Sequence, residues 1–584
     1  MVTVRLSPWI LGLAFLSLPR LAQAQDVTSG TVIYGTGQTA TDWTGGTISS
    51  GATLQLDSGG TISGNATNNG TLSFNRDTNG DPYIYTGIIS GTGAVTKSNT
   101  GTVTLSGANT YTGTTSISAG TLNLSGAGNA NNSNIAISGS SNLTFTATDS
   151  RAFTKAITGT AGNISFNVAG STADGGGGDA TSFAMSNTGA FTGTVVVNTG
   201  LINAPGNAAF GDTANVIQLN AASGQSAGIV GNGLTLPSTR SIQLTQAGGN
   251  SVFRVWNFNT FQVDGQISGA GNLVKTDGGT AILAGANTFT GTTRVGGGTL
   301  QINNALALQN SALDTSGSGL ITLSSVTTPT LGGLTGSKNL ASVITTGYSG
   351  ITSLTLNSGT GAANTYSGVV ANGATGMTLV KTGAGTQTLS GANTYTGETT
   401  ISAGTLEVSG ASGALSATSA VNINGGTLLL SGSAANRIGD AAPISLGAPG
   451  STLQLSGAVT ETLGALTLAG GAGARVIDFG ATSGVLTLTS LSADSNLPLQ
   501  IWNWSGSTDR LIISSGGFGG SLTASDISFF SDGGSSLIGT AQFSSTQLVP
   551  VPEASTLLAV LGLIAPLAWR ERRHWMRCRE ARGN

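Results

Sequence analysis

The sequence predicts an all-β chain assembled from a repeat. Three observations lead there. Apolar residues alternate with small polar ones, as in Thr102-Val103-Thr104-Leu105, Ser353-Leu354-Thr355-Leu356, Thr405-Leu406-Glu407-Val408 and Thr452-Leu453-Gln454-Leu455, which marks strands with one buried face. Glycine and asparagine break these runs every few residues, where turns need positive φ. And one stretch is written three times: LSGANTYTGTTSISAGTLNLSG from Leu105 to Gly126, LAGANTFTGTTRVGGGTLQINN from Leu283 to Asn304, and LSGANTYTGETTISAGTLEVSG from Leu389 to Gly410.

The chain opens with MVTVRLSPWILGLAFLSLPRLAQA, Met1 to Ala24. Arg5 supplies a basic start, Trp9 to Leu18 a mostly apolar run, and Ala22 and Ala24 small residues at cleavage positions. A secretory signal peptide is therefore expected over 1–24, cleaved between Ala24 and Gln25.

The body that follows, expected to wind from 25 to 470, contains no convincing amphipathic helix. Its threonines, valines and isoleucines favour the extended backbone because a branched Cβ fits a pleated surface. The repeat is longer than the quoted stretch. Each copy is preceded by an apolar strand ending in lysine: Val95-Thr96-Lys97, Leu273-Val274-Lys275 and Leu379-Val380-Lys381. A glycine turn, a second strand, an Ala-Asn-Thr-Tyr/Phe-Thr-Gly corner and two further short strands complete the unit. Leu105, Leu283 and Leu389 are each the last apolar residue before the corner and are expected to face the core. Worn copies fill the gaps, such as Phe191-Thr192-Gly193-Thr194 and Asn424-Gly425-Gly426-Thr427-Leu428.

This unit resembles the autotransporter-associated β-strand repeat of large bacterial surface proteins. The resemblance implies a right-handed parallel β-helix. One turn of such a coil takes about 20–25 residues, and a coil buries its inner row only when stacked on its neighbours. Coils about 4.8 Å apart would build a rod on the order of 100 Å long. On this reading the stretch recurs because a coil must match the next coil, and its Asn and Tyr are expected to form stacked ladders and not a site.

Residues 471–549 differ in character, with Arg475-Val-Ile-Asp-Phe-Gly480, Ile501-Trp-Asn-Trp504 and Asp509-Arg510-Leu-Ile-Ile513. They are expected to cap the solenoid. Trp502 and Trp504 would share a face if the segment is extended, so a sugar-stacking platform is the alternative there.

The last segment, 550–584, has three parts. Val551-Pro552-Glu553-Ala554-Ser555-Thr556 comes first, then an apolar run within 555–569, then an arginine-rich end at 570–584 that includes Arg570, Arg572 and Arg573. Leu557 to Trp569 is thirteen residues, about 20 Å of helix against a hydrocarbon core of about 30 Å. Arginines after the run would stay cytoplasmic and stop transfer. The order resembles a PEP-CTERM sorting tail, with Ala554 in place of the family's second proline. That resemblance implies export by a Gram-negative bacterium that makes exopolysaccharide. It also implies processing by the membrane protease-transpeptidase exosortase at Val551, Pro552, Glu553, Ser555 and Thr556. A self-secreting autotransporter would instead end in a membrane barrel of alternating strands.

Composition excludes much chemistry. His574 and Cys578 are the only histidine and cysteine. A chain trimmed at both ends therefore lacks imidazole, thiol and disulfide, and with them His-based acid–base chemistry, thiol nucleophiles and ordinary zinc sites. Glycoside hydrolysis needs two carboxylates about 5–10 Å apart. Acids are scattered at Asp174, Asp179, Asp264, Asp277, Glu398, Glu407, Asp478, Asp509 and Asp526 without clustering at coil spacing. Gly91-Thr-Gly93 and Gly269-Ala-Gly271 lack the third glycine and the helix of a dinucleotide site. Asp174-Gly-Gly-Gly-Gly-Asp179 occurs once and reads as a loop. Without the two ends, thirteen basic residues face twenty-one acidic ones, and such a surface repels nucleic acid. No cofactor or metal is expected.

The expected function is that of an exported, non-catalytic structural protein of the cell surface or extracellular matrix. The Sec translocase and exosortase are its expected partners during export, with the tail anchored in the inner membrane at least transiently. The alternative is an adhesin that binds exopolysaccharide along a flank of the β-helix. A β-helix polysaccharide lyase or hydrolase is the weaker third reading.

Overall fold

A computed structural model describes residues 25–552 except 38–41, 80–81, 127–131, 170–181, 482 and 516. The expected signal peptide and the tail from Glu553 onward lie outside the described residues. Contacts separate the described residues into two units: those within 25–146, 153–164 and 188–191, and those within 147–152, 165–187 and 192–552. Each unit is a parallel β-solenoid. The one α-helix among the described residues is the four-residue Leu340–Val343.

In the first unit, strands β1 (Ala94–Ser98), β2 (Thr102–Leu105), β3 (Thr115–Ile117) and β4 (Thr121–Ser125) form the first repeat copy. β1 pairs in parallel with β3, Val95 beside Thr115 and Lys97 beside Ile117. β2 pairs in parallel with β4, Thr102 beside Thr121 and Leu105 beside Leu124. The repeat is therefore two successive coils. The corner between β2 and β3 is a third extended face, where the Thr110 and Thr112 amides donate to the Ile89 and Gly91 carbonyls of the coil before.

The second unit carries the other copies with the same register. Strands β5 (Asn272–Thr276), β6 (Thr280–Leu283), β7 (Thr293–Val295) and β8 (Thr299–Ile302) pair so that Leu273 meets Thr293 and Thr280 meets Thr299. Strands β9 (Thr378–Thr382), β10 (Thr386–Leu389), β11 (Thr399–Ile401) and β12 (Thr405–Val408) pair so that Leu379 meets Thr399 and Thr386 meets Thr405. Less regular coils are wider. Leu354 pairs with Leu379 and Val421 with Ile444, the extra residues being absorbed in turns.

Period-two alternation decides which way each side chain points. In β4, Leu122 and Leu124 are buried between half-buried Thr121, Asn123 and Ser125. Leu105, Leu283 and Leu389 are all fully buried, as the sequence predicts. Glycine is required where coils touch most closely. A Cβ on Gly107, Gly285 or Gly391 would come within 3.0 Å of the carbonyl oxygen of Gly87, Gly265 or Gly368 in the neighbouring coil. Gly120, Gly298 and Gly404, before the last strand of each copy, hold φ of +66°, +61° and +61°.

Parallel winding continues well past residue 470. Strands β13 (Arg475–Asp478), β14 (Val485–Ala493), β15 (Leu499–Trp502), β16 (Arg510–Ile513) and β17 (Ile527–Phe530) stack as before. β13 pairs with β15, β14 with β16 and β15 with β17, all in parallel. Direction then reverses. Strands β18 (Leu537–Ser544) and β19 (Gln547–Pro552) form a hairpin, and β18 runs antiparallel to β17 while β19 runs antiparallel to β16. The hairpin pairs the edge that the final coil would otherwise leave open to other chains.

The two tryptophans do not form a shared face. β15 ends at Trp502, and Asn503 turns the backbone with φ of +55°. Trp504 is thereby buried, edge-on to Phe479 at 5.2 Å and Phe529 at 4.9 Å. Trp502 stays half-buried, its indole N–H donating to Gln500 Oε1. The sugar-stacking platform expected there is corrected by this positive-φ residue, which breaks the alternation on which it depended.

Replacing Leu389 with Asp should put an unpaired charge in the core at a cost of several kcal/mol. Because each coil contacts chiefly its neighbours, opening should be local. Limited proteolysis should show faster cleavage near residue 389 with little change elsewhere; unchanged cleavage there would contradict the core assignment.

Candidate functional site

The recurring lysine, asparagine and buried hydroxyls of the repeat are used in joining coils, while the corner threonines Thr110, Thr112 and their counterparts are exposed. The lysine that ends the first strand of each copy is completely buried. Lys97 Nζ donates to the carbonyls of Ser98 (2.9 Å), Asn99 (2.7 Å) and Ala119 (3.2 Å). Lys275 Nζ donates to Thr276 (2.7 Å), Asp277 (2.8 Å) and Gly297 (3.1 Å). Lys381 Nζ donates to Thr382 (2.6 Å), Gly383 (2.8 Å) and Ala403 (3.3 Å). Two acceptors lie in the lysine's own turn and the third in the next coil. The middle acceptor is a left-handed residue each time: Asn99, Asp277 and Gly383 have φ of 63°, 62° and 70°. The ammonium thus fixes the turn and staples it to its neighbour. Burial pushes Lys275 and Lys381 down to about 8, a nearby Asp277 carboxylate opposing it at Lys275. Both therefore stay mainly charged at neutral pH.

The asparagine of the corner performs the complementary task. Asn109, Asn287 and Asn393 accept the backbone N–H of Ile89, Ile267 and Val370 at 2.9, 2.8 and 3.0 Å. Asn287 Nδ2 donates onward to Ala307 O, and Asn393 Nδ2 to Ala414 O. The tyrosine begins a buried hydroxyl chain. Tyr111 reaches Thr115 at 2.6 Å, Thr115 reaches Ser133 at 2.8 Å, and Ser133 donates to Gly113 O. Tyr395, Thr399, Thr418 and Gly397 O repeat it. In the second copy Phe289 omits only the first hydroxyl, and the Thr293–Ser311–Gly291 part is kept. Burial raises the Tyr111 hydroxyl to about 12, so it remains a neutral donor.

Three segments match the family model of the passenger-associated-transport-repeat. They are residues 95–124, 273–302 and 379–408, each running from the capping lysine's strand to the end of the second coil. The chain is also similar to the adhesin BmaC autotransporter of Brucella suis biovar 1 (strain 1330), with 35% identity over 154 residues. That similarity covers 26% of this chain and 4% of the relative, so the chain spans a small fraction of the curated relative it matches. No solved structure matches.

The sequence-predicted processing residues are only partly described. Gln25 is tied into the first coil: its N–H donates to Gly45 O, its carbonyl accepts Trp43 Nε1 at 2.7 Å, and its Oε1 accepts the Tyr34 hydroxyl. Val551 and Pro552 are the last two residues of β19, beside Thr540 and Gly539. Ala22, Ala24, Glu553, Ser555, Thr556, Arg570, Arg572 and Arg573 lie outside the described residues.

The acids weighed for catalysis hold local structure. Asp478 accepts Gln454 Nε2 and Asn503 Nδ2, Asp509 accepts the Gly484 N–H, and Glu407 accepts the hydroxyls of Thr388 and Ser431. Asp174 and Asp179 lie outside the described residues. Among the described residues no three His, Cys, Asp or Glu side chains are grouped to hold a metal ion.

Sequence reasoning passed over the lysine's role. The signal was present: only five lysines occur, and three of them sit at the same repeat position.

Lys381→Met keeps the length and apolar stem but removes all three donors. Each buried carbonyl left unpaired should cost about 1–3 kcal/mol, felt across residues 381–404. Thermolysin cleavage in that span should accelerate, and a variant as resistant as the parent would show that the ammonium contributes nothing.

Proposed function

We propose that the protein is an exported structural scaffold of the cell surface or extracellular matrix, and that its repeats serve no chemistry of their own. The observation that carries this is the commitment of the recurring lysine, asparagine and buried hydroxyl chain of each copy to bonds within or between coils. A repeat whose Lys, Asn and Tyr or Phe face inward, with Thr115, Thr293 and Thr399 beside them, is selected for stacking. The passenger-associated repeats and the similarity to a surface adhesin support the same reading.

Sorting is assigned to the tail. In this reading the signal peptide delivers the chain to the Sec translocase. The apolar run from Leu557 holds the tail in the inner membrane, and the arginines from Arg570 stop transfer. An exosortase then cuts at the Val551–Thr556 motif. The closing hairpin runs into that motif, so cleavage after Pro552 would leave the solenoid's last pairing intact. A polysaccharide-binding adhesin is the second reading, favoured by the similarity to a Brucella adhesin and by an exposed aromatic turn described below.

Mass spectrometry of the exported protein tests the sorting step. Peptides from Arg570 to Asn584 should be missing from it. Replacing Pro552 and Glu553 together by alanine should leave translocation intact but hold the protein at the inner membrane with its tail attached. Exported protein that keeps the arginine cluster would contradict processing and make the tail a plain anchor.

A further inference from the structure

Residues Trp256-Asn257-Phe258-Asn259 form a tight turn in the coil that precedes the second repeat copy. The turn is closed by the Asn259 N–H donating to Trp256 O at 3.1 Å. Phe258 occupies its third position with φ of +65°, a conformation that such turns normally reserve for glycine or asparagine. A bulky residue there is strained, and such strain persists where function or surroundings impose it. Surroundings do not explain it, because Phe258 is fully exposed. Trp256, two residues earlier, is also exposed, and these two are the large aromatic residues the solenoid leaves open among the described residues.

Beside the turn lies an open depression of about 580 Å³, lined by Trp256, Asn257, Asn259, Asp277 and Gly278. Its far wall is the turn capped by Lys275. The lysine holds Asp277 in its left-handed conformation, and Arg254 Nε pairs with Asp277 Oδ2 at 2.8 Å. Gly278 lets the Asn257 side chain pack down onto the floor, since a Cβ there would run into it. The wall is therefore rigid, and its carboxylate is neutralised by a partner.

We propose that this depression binds a neutral pyranose unit of a polysaccharide. An aromatic face covers the apolar C–H face of a sugar ring, while amide and carboxylate groups meet its hydroxyls. Concave sites of this kind combine apolar surface with a few placed polar groups. The depression has the size of one or two rings and lacks the broad apolar area that a protein partner needs. The acidic balance of the body disfavours uronic-acid polymers. The inference rests on the adhesin reading and deepens it, by naming the site and the ligand class.

The test titrates the purified full-length chain with cellohexaose, laminarihexaose, maltohexaose and mannohexaose, with a hexagalacturonate as the acidic control, reading tryptophan fluorescence and calorimetry. At least one neutral hexasaccharide should bind in the millimolar range or tighter. Trp256→Ala should weaken it about tenfold or more, the scale of one lost aromatic contact together with its buried area. Phe258→Gly should also weaken binding while holding or raising thermal stability, because glycine accepts the backbone at no strain. Binding of none of the four, preference for the hexagalacturonate, or binding untouched by both substitutions would overturn the site. Failure of the adhesin reading is separate: it would appear as cells that display the chain yet gain no adherence to polysaccharide while the purified protein still binds.

Discussion

A stacked coil has to satisfy backbone carbonyls at its corners, where the chain leaves one sheet for the next and the ladder of N–H donors is interrupted. Buried carbonyls without partners cost about 1–3 kcal/mol each, and a solenoid meets that cost at every turn. This protein answers it with buried cations. Lys97, Lys275 and Lys381 each cap three carbonyls. Arginine does the same elsewhere: Arg76 donates to Asp57 O and Gly60 O, Arg240 to Asn215 O and Gly211 O, and Arg437 to Gly410 O and Gly413 O. Arg475 caps Gly473, Ala469 and Gly471. These cations hold turns and are not an anion-binding surface.

The remaining design follows from the same need. Asparagine supplies an acceptor where the corner leaves an N–H, and threonine and tyrosine hydroxyls link one coil to the next. Glycine sits where two coils come too close for a side chain. The whole is built without disulfides, so neighbouring coils depend on packing and hydrogen bonds. The repeats spend their lysines and asparagines inside and show exposed threonines at the corner, so aromatic binding surface is found on departures from the repeat. The Trp256–Asn259 turn is such a departure, and the Lys275 cap that stabilises the repeat also holds the wall of its depression.

Much of the fold was legible because alternation reports the buried face directly. Leu105, Leu283 and Leu389 could be assigned inward as the last apolar residue before each corner, and the coil length came from the β-helix that the repeat's resemblance implies. The lysine's recurrence marked it as part of the repeat, but its task was not legible, because a lysine at a strand end normally reads as a solvated charge. Only the position of the next coil's carbonyl shows why it is buried. Trp502 and Trp504 misled for a related reason: the face-sharing argument assumes unbroken extension, and one left-handed asparagine reverses it. The strain at Phe258 had no signal in the sequence, since nothing in WNFN announces which residue takes positive φ.

The buried-cation account is tested most directly by acylating lysine amines in the folded chain and again after denaturation, with each site quantified by mass spectrometry. Lys97, Lys275 and Lys381 should resist the reagent in the folded protein, while exposed Lys338 reacts. All should react once the chain is unfolded. Repeat lysines that are labelled in the folded protein as fast as Lys338 would contradict the account, because an ammonium capping three carbonyls inside the coil cannot also be open to solvent.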